Sequence, residues 1–454
     1  MLLATLLLTA LTAPTPAAEQ TTLVRPPFGH CLGITKVTAF HMFLHFGGLT
    51  RFDEPAGMDA VKLRAKDDPS NAGDDDELTV FGLNSGRSEL IFNTSLYRAE
   101  LYGSEGTGPG RFRRPTDVAA DQRGNVFVTD TGNHRVVRLV YEADTLRYVR
   151  SLGSKGEGER QFLSPSGLAL GASGKLYVAD TGNDRIVVMS GTGEDFATIG
   201  GAGGVLYEPF GIDVAERDER WIAGRRAFVV VSDRGGTRLT TLAHDGTVLA
   251  TVGSESLPVP GASFGHLAID YYGSVYAVDR TLGAIHKFDA DLRYVTTFGL
   301  SENGRAVFDE PRGITIWRRF GQVFVSERAG AQYFWIGTDI ENAGVRPQPA
   351  SQDDVLDISY TLTEVARVTI EILDDRDEVL ATIASSRRRS IGPALERWRG
   401  LRQAASDRSG QSGSAGNLAP GRYTLRISAR PTYSSGEYFE AVATVPLEIT
   451  APGR

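Results

Sequence analysis

The chain of 454 residues has a single cysteine, Cys31, so no disulfide can form within it. Positive charge is not in surplus either. Lys+Arg 48 against Asp+Glu 56 leaves a formal net charge of −8, which argues against nucleic acid or an anionic membrane surface as the main partner. Beyond the extreme N-terminus no apolar stretch approaches the ~20 residues that a transmembrane helix needs. The apolar (41%) and charged (23%) fractions are ordinary, which excludes disorder throughout and a long coiled coil. Glycine is abundant: 52 residues of 454, against a usual share of about 7%. Without a Gly-X-Y period, that excess means many turns and many short strands.

Leu2 to Ala13 form an apolar run broken only by threonines, and Pro14 to Ala18 follow with small residues suited to cleavage. This reads as a signal peptide over 1–18 followed by a leader over 19–37, although no Lys or Arg precedes the run. The expected location is therefore outside the cytoplasm: periplasmic, cell-surface or secreted. Cys31 follows Phe28-Gly29-His30, which is not a lipidation context. Asn93-Thr94-Ser95 fits a glycosylation acceptor, a match that is common by chance.

Internal repetition organises the next 300 residues. Phe112-Arg-Arg-Pro115-Thr-Asp-Val118 is echoed by Phe162-Leu-Ser-Pro165-Ser-Gly-Leu168, Tyr207-Glu-Pro209-Phe-Gly-Ile212 and Phe308-Asp-Glu-Pro311-Arg-Gly-Ile314. Phe52-Asp-Glu-Pro55-Ala-Gly-Met58 opens the series, and Phe264-Gly-His266-Leu-Ala-Ile269 reads as a copy with histidine in place of proline. A second motif follows, Asp130-Thr-Gly-Asn-His-Arg135 and Asp180-Thr-Gly-Asn-Asp-Arg185, with decayed copies ending at Asp233, Asp279 and Glu327. In the first unit Gly82 stands where the acid is expected. Glycines 103, 153, 200, 253 and 299 close a third element. Repeats of 40–50 residues imply stacked or radial units. The last unit lacks a fourth strand, and the apolar run Ala39–Phe46 at the other end of the repeats is suited to supply it, which closes a ring without an exposed edge. The expectation is an all-β chain: a six-bladed β-propeller over 38–337, a linker over 338–352 and a small β-sandwich over 353–450.

The second and third units resemble NHL repeats, with their Phe-x-x-Pro-x-Gly opening and Asp-Thr-Gly-Asn-His-Arg turn; the other four match in part. The resemblance implies a propeller and no single activity. The C-terminal strands, with Trp398-Arg-Gly400, a polar loop and Leu418-Ala-Pro-Gly-Arg-Tyr423, resemble the immunoglobulin-like domain of flagellar hook-capping proteins. Arg399 replaces the aspartate usual after that tryptophan.

The recurring acids Asp130, Asp180, Asp233 and Asp279 look like a carboxylate ring, but recurrence at one structural position marks them as turn acids, with Arg135 and Arg185 as partners. One NHL-type enzyme, the lyase that completes peptide amidation, holds zinc through channel histidines. Here only His266 occupies an opening position; His41 and His45 fall in the expected closing strand, and no triad of ligands converges. The acidic stretch Asp74-Asp-Asp-Glu77 lacks the spacing of a calcium loop, and Arg387-Arg-Arg389 reads as an exposed loop. No catalytic residue, metal ligand or cofactor is assigned. Residues beside the opening prolines vary from unit to unit: Ala56, Thr116, Ser166, Phe210, Leu267 and Arg312. Variation on a fixed scaffold is where specificity sits, so Arg114, Phe210, His266 and Arg312 are the candidate ligand contacts. The functional expectation is an exported, non-enzymatic binding or scaffold protein that holds a protein, peptide or glycan on one propeller face. The alternative is a propeller lyase or hydrolase with its site in the central channel. The ligand's identity and the oligomeric state are not legible.

Overall fold

The computed structural model describes residues 20–27, 35–67, 78–95, 98–201, 204–300, 307–399 and 418–451. The expected signal peptide, Cys31 and the acidic stretch 74–77 lie outside them. Six antiparallel sheets follow one another along the chain. Blade 1 is Pro55–Lys62, Leu78–Asn84, Glu89–Ser95 and Arg98–Tyr102; blade 2 runs from Val118–Ala120 to Thr145–Leu152. Blades 3, 4 and 5 begin at Pro165–Leu170, Ile212–Ala215 and Leu267–Ile269 and end at Ala197–Gly200, Val248–Gly253 and Tyr294–Phe298. The near-continuous apolar second strands, such as Phe228–Asp233, are buried along their whole length, as strands packed on both faces must be.

Blade 6 has three strands of its own, Pro311–Trp317, Gln322–Glu327 and Gly330–Ile336. Its outer edge is completed from the N-terminal side, but by Leu23–Val24 and Lys36–Thr38 rather than by residues 39–46. Residues 20–27 and 35–37 of the expected leader therefore belong to the propeller. Ala39–Phe46 is an α-helix instead. The Thr38 amide donates to His41 Nδ1 at 3.2 Å, and Gly47 at φ +55° ends the helix with its N–H on the Phe43 carbonyl. An eight-residue apolar run fits strand or helix equally by pattern, and these end signals decide it.

Hydroxyls at the ends of the second strands of blades 2, 4 and 6 latch each of these blades to the next. Thr129 Oγ1 donates to the Ser166 carbonyl at 2.6 Å, Ser232 Oγ to Gly265 at 2.8 Å and Ser326 Oγ to Ala56 at 2.7 Å. The last of these joins blade 6 to blade 1, so the ring closes.

Residues 338–352 are not a linker. Ile340–Arg346 pairs with Leu356–Leu362, and Ala350–Ser351 pairs with Ala441–Thr450. The C-terminal domain is a two-sheet sandwich, three strands against five, around Leu356, Ile358, Ile370, Leu425 and Ile427. It is docked on the propeller. Lys287 of blade 5 and Glu364 of the sandwich form a fully buried ion pair at 2.6 Å. Tyr433 packs edge-on against Tyr271 and Tyr272, and the Tyr271 amide donates to its hydroxyl at 3.0 Å.

Candidate functional site

The turn acids come first because they repeat. Asp130 Oδ1 accepts the Arg113 amide at 2.6 Å and Asp180 Oδ1 the Leu163 amide at 2.7 Å, so each acid pins its own blade's opening loop. Each also meets a cation: Arg135 and Arg185 at 2.8 Å, and Arg238 for Asp233. Blade 5 replaces the arginine with His286, 3.0 Å from Asp279, and blade 6 borrows Lys36, 2.8 Å from Glu327. Blade 1 inverts the pair. Its turn residue is Asn84, not Gly82: Asn84 Oδ1 accepts the Asp53 amide at 2.7 Å while its NH2 donates to Glu89 at 3.1 Å. These groups bind their own turns and their own cations, which makes them scaffold. Asn93 is committed too, bonded to Val80 N at 2.6 Å and Leu78 O at 3.0 Å.

The channel is lined by the first strand of each blade. Register aligns Gly57, Asp117, Gly167, Gly211, His266 and Gly313 in one ring. His266 thus occupies the glycine position, not the proline position. Ser263 amide to Asp279 marks the same point as Arg113 amide to Asp130, and blade 5 reaches the ring one residue sooner, having no proline. The four glycines are imposed by close approach: a Cβ on Gly211 would sit 2.2 Å from the Gly265 carbonyl, and one on Gly57 would sit 1.9 Å from Asp117 Oδ1. The two side chains in the ring meet, His266 Nδ1 lying 3.6 Å from Asp117 Oδ2. The Phe210 ring packs edge-on against His266 at 5.0 Å.

Three channel carboxylates do one job. Asp117 accepts the amides of Val118 and, across the blade boundary, Leu168, both at 2.9 Å. Asp59 accepts Ala60 at 2.8 Å and Ala120 at 2.7 Å; Asp213 accepts Val214 and Ile269, both at 2.7 Å. Each carboxylate bridges two adjacent blades through first-strand amides that no ladder partner satisfies. Arg318 stoppers the channel, bonding Asp213 at 3.0 Å, Glu219 at 2.6 Å and the carbonyls of Ile269 and Val214 at 2.9 Å. The space left is about 180 Å³.

Burial, with Asp213 adding repulsion, pushes the Asp59 carboxyl up to about 7. Folded protein then holds a proton between pH 4 and 7 that unfolded chain has released, so stability falls as pH rises through that window, by roughly 1.4 kcal/mol per unit at most. Asp270, also pushed up to about 7 by burial and the Glu364 charge, adds to the slope. Asp59→Asn is expected to flatten the profile without abolishing it, measured as denaturant midpoints from pH 5 to 8; an unchanged slope would refute the assignment.

Of the four residues picked from sequence, Phe210 and His266 are in contact, while among the described residues neither Arg114 nor Arg312 bonds to them. Arg114 is exposed, at φ +47° in the left-handed conformation shared by Glu54, Ser164, Glu208 and Glu310. Arg312 meets Glu310 at 3.3 Å, but its Nε is buried without an acceptor. The variable ring at the mouth is Ala56, Thr116, Ser166, Phe210, Gly265 and Arg312; Leu267, two residues further on, is buried. Sequence reading missed Asp117, Asp59, Asp213 and Arg318. A signal existed for the acids: Asp117 replaces the motif glycine, and Asp59 and Asp213 each stand two residues after it.

No helix among the described residues is long and apolar enough to cross a membrane. Among solved structures, the chain is similar to virginiamycin B lyase from Staphylococcus aureus, with 13% identity over 57% of this chain and 77% of that one at a TM-score of 0.41. It is similar to a Bacteroides thetaiotaomicron protein of unknown function at 15% identity over 63% and 70%, TM-score 0.43. A gluconolactonase from Xanthomonas campestris matches at 13% identity over 69% and 97%, TM-score 0.43. Nothing about chemistry passes to this chain at these levels. Comparison with curated proteins found no match. Residues 112–139 and 162–189 match the NHL repeat, and they lie within blades 2 and 3 of a six-bladed β-propeller.

Proposed function

We propose that this is an exported, non-enzymatic binding protein that holds a protein, peptide or glycan at the mouth of its propeller channel. The sandwich, read as a hook-capping-type immunoglobulin-like module, serves as a docked spacer or attachment domain. Arg312 carries the reading. Its guanidinium stands in the variable ring, mostly buried, with Nε lacking an acceptor among the described residues, a situation that costs free energy. Glu310 holds one end of the group and leaves the rest for a carboxylate or sulfate. The aromatic pair Phe210–His266 supplies an apolar contact in the same end of the channel.

A catalytic channel draws on the Asp117–His266 contact and the raised Asp59. Against it, the oxygens of Asp59 and Asp117 are bonded to backbone amides, which makes them poor proton carriers for a substrate. Arg312→Ala is expected to weaken a carboxylate-bearing ligand by about tenfold or more, with melting temperature held within a few degrees. Lost stability with unchanged affinity would return Arg312 to the scaffold.

A further inference from the structure

Between the propeller and the sandwich lies a cleft of about 1180 Å³, distinct from the channel mouth. Its floor is the outer face of the five-stranded sheet, and its far wall carries Tyr271 and Tyr272 of blade 5. Across that floor the register sets Arg388, Arg367 and Arg430 directly opposite one another on three neighbouring strands. Like charges placed opposite in a sheet repel, and acids answer only part of the row. Glu440 takes Arg430 at 3.3 Å, and Glu371 is committed to Arg426 at 2.6 Å. No carboxylate among the described residues pairs with Arg367 or Arg388.

The triplet Arg387-Arg-Arg389 is thereby explained. It lies in the strand Val379–Arg389, not in a loop, and alternation sorts it. Arg387 and Arg389 turn to the other face and share Glu396, while Arg388 turns into the cleft. There its guanidinium sits over the Tyr272 ring at 5.5 Å, and the Tyr272 hydroxyl is tied to Thr432 Oγ1 at 2.6 Å. The cation is thus positioned in advance by both domains, and the buried Lys287–Glu364 pair holds the cleft walls together. A preorganised site forfeits little entropy on binding.

We infer that this cleft is a binding site for an acidic glycan, whose carboxylates meet the Arg388–Arg367–Arg430 row. The row advances by one strand spacing, about 4.8 Å, per arginine. An extended peptide presents carboxylates on one side only every two residues, about 6.8 Å, which does not match that step. The floor between the cations is hydroxyl-bearing, with Thr369, Ser386 and Ser428, which suits a ligand made of hydroxyls.

The test is calorimetric titration of the full chain with a polygalacturonate oligomer, a neutral glucan oligomer of equal length and a poly-glutamate of equal charge. The wild type is expected to bind the uronate at least about tenfold more tightly than either control. The double substitution Arg367→Gln with Arg388→Gln should abolish that preference while leaving the melting temperature unchanged or slightly raised, because it removes a repulsion. Arg147→Gln, on an exposed strand of blade 2 outside the cleft lining, should leave uronate affinity intact. Equal binding of the neutral glucan, no binding at all, or full affinity in the double variant would overturn the proposal. Preference for poly-glutamate would replace the glycan by an acidic peptide, and loss of uronate binding only in Arg312→Ala would move the site to the mouth.

Discussion

A chain lacking residues 1–38 is expected to lose the folded propeller and aggregate. The strands Leu23–Val24 and Lys36–Thr38 cover the outer edge of Gly330–Ile336, and without them that strand presents unpaired backbone groups to any neighbouring chain. Packing goes with the hydrogen bonds. Leu23 is buried with Phe308, Phe334 and Ile336, and the Arg25 guanidinium lies over the Phe334 ring at 4.0 Å. Charge goes as well: removing Lys36 leaves Glu327, which is 1% exposed, with the Asp309 amide and Gln332 as partners but no cation. The contrasting variant is Phe40→Ser, Phe43→Ser and Leu44→Ser in the neighbouring helix. All three side chains are more than 60% exposed, so this protein should melt as the wild type does. Soluble yield and cooperative melting of the two variants decide the matter. A truncated chain that stays monomeric and unfolds cooperatively would show that closure does not depend on these strands.

Lys287→Met should be the most damaging single substitution at the domain interface, by about 3–5 kcal/mol. Lys287 and Glu364 are 1% and 0% exposed, and the Tyr276 hydroxyl lies 3.5 Å from Glu364. Asp270 completes the cluster, so removing the lysine leaves two buried carboxylates without a cation. Its carboxyl is already pushed up to about 7, and protonation at low pH relieves the stranded charge. The loss should therefore be smaller at pH 5 than at pH 8. Adding Glu364→Leu should recover most of it, because an apolar pair of similar volume tolerates burial. Denaturant unfolding at both pH values measures this. Since the interface is buried and ion-paired, the wild-type domains are expected to unfold together, not as two separable pieces. A Lys287→Met protein as stable as the wild type at pH 8 would show that water reaches the pair.

Where the chemistry is short-range, the residues announced the structure. Blades 2 and 3 are legible because one acid, Asp130 or Asp180, satisfies an amide 17 residues back and an arginine five residues on, so the constraint appears as a local string. Glycine and proline placed the turns for the same reason. Blade 1 was misread by two positions because its polar pair is inverted, Asn84 with Glu89, and a pattern tuned to Asp and Arg passes over it. The number of blades and the need for an N-terminal closing strand were also legible, since a missing strand at one end and spare residues at the other are both matters of counting, but the run chosen for it, 39–46, was the wrong one.

What only the tertiary structure decided concerns partners far apart in sequence. That the closing strand is Lys36–Thr38 and not Ala39–Phe46 depends on its pairing with Gly330–Ile336, nearly 300 residues away. The stretch 338–352 looked like a linker because it holds two prolines and no apolar run, yet Val345 and Ala350 are buried in the sandwich. The inter-blade bridges of Asp59, Asp117 and Asp213 and the arginine row of the cleft depend on which strands become neighbours. Such contacts join residues whose only relation is a shared sheet or a blade boundary. No local propensity encodes that relation, because the free energy favouring it arises only when the ring has closed and the sandwich has docked.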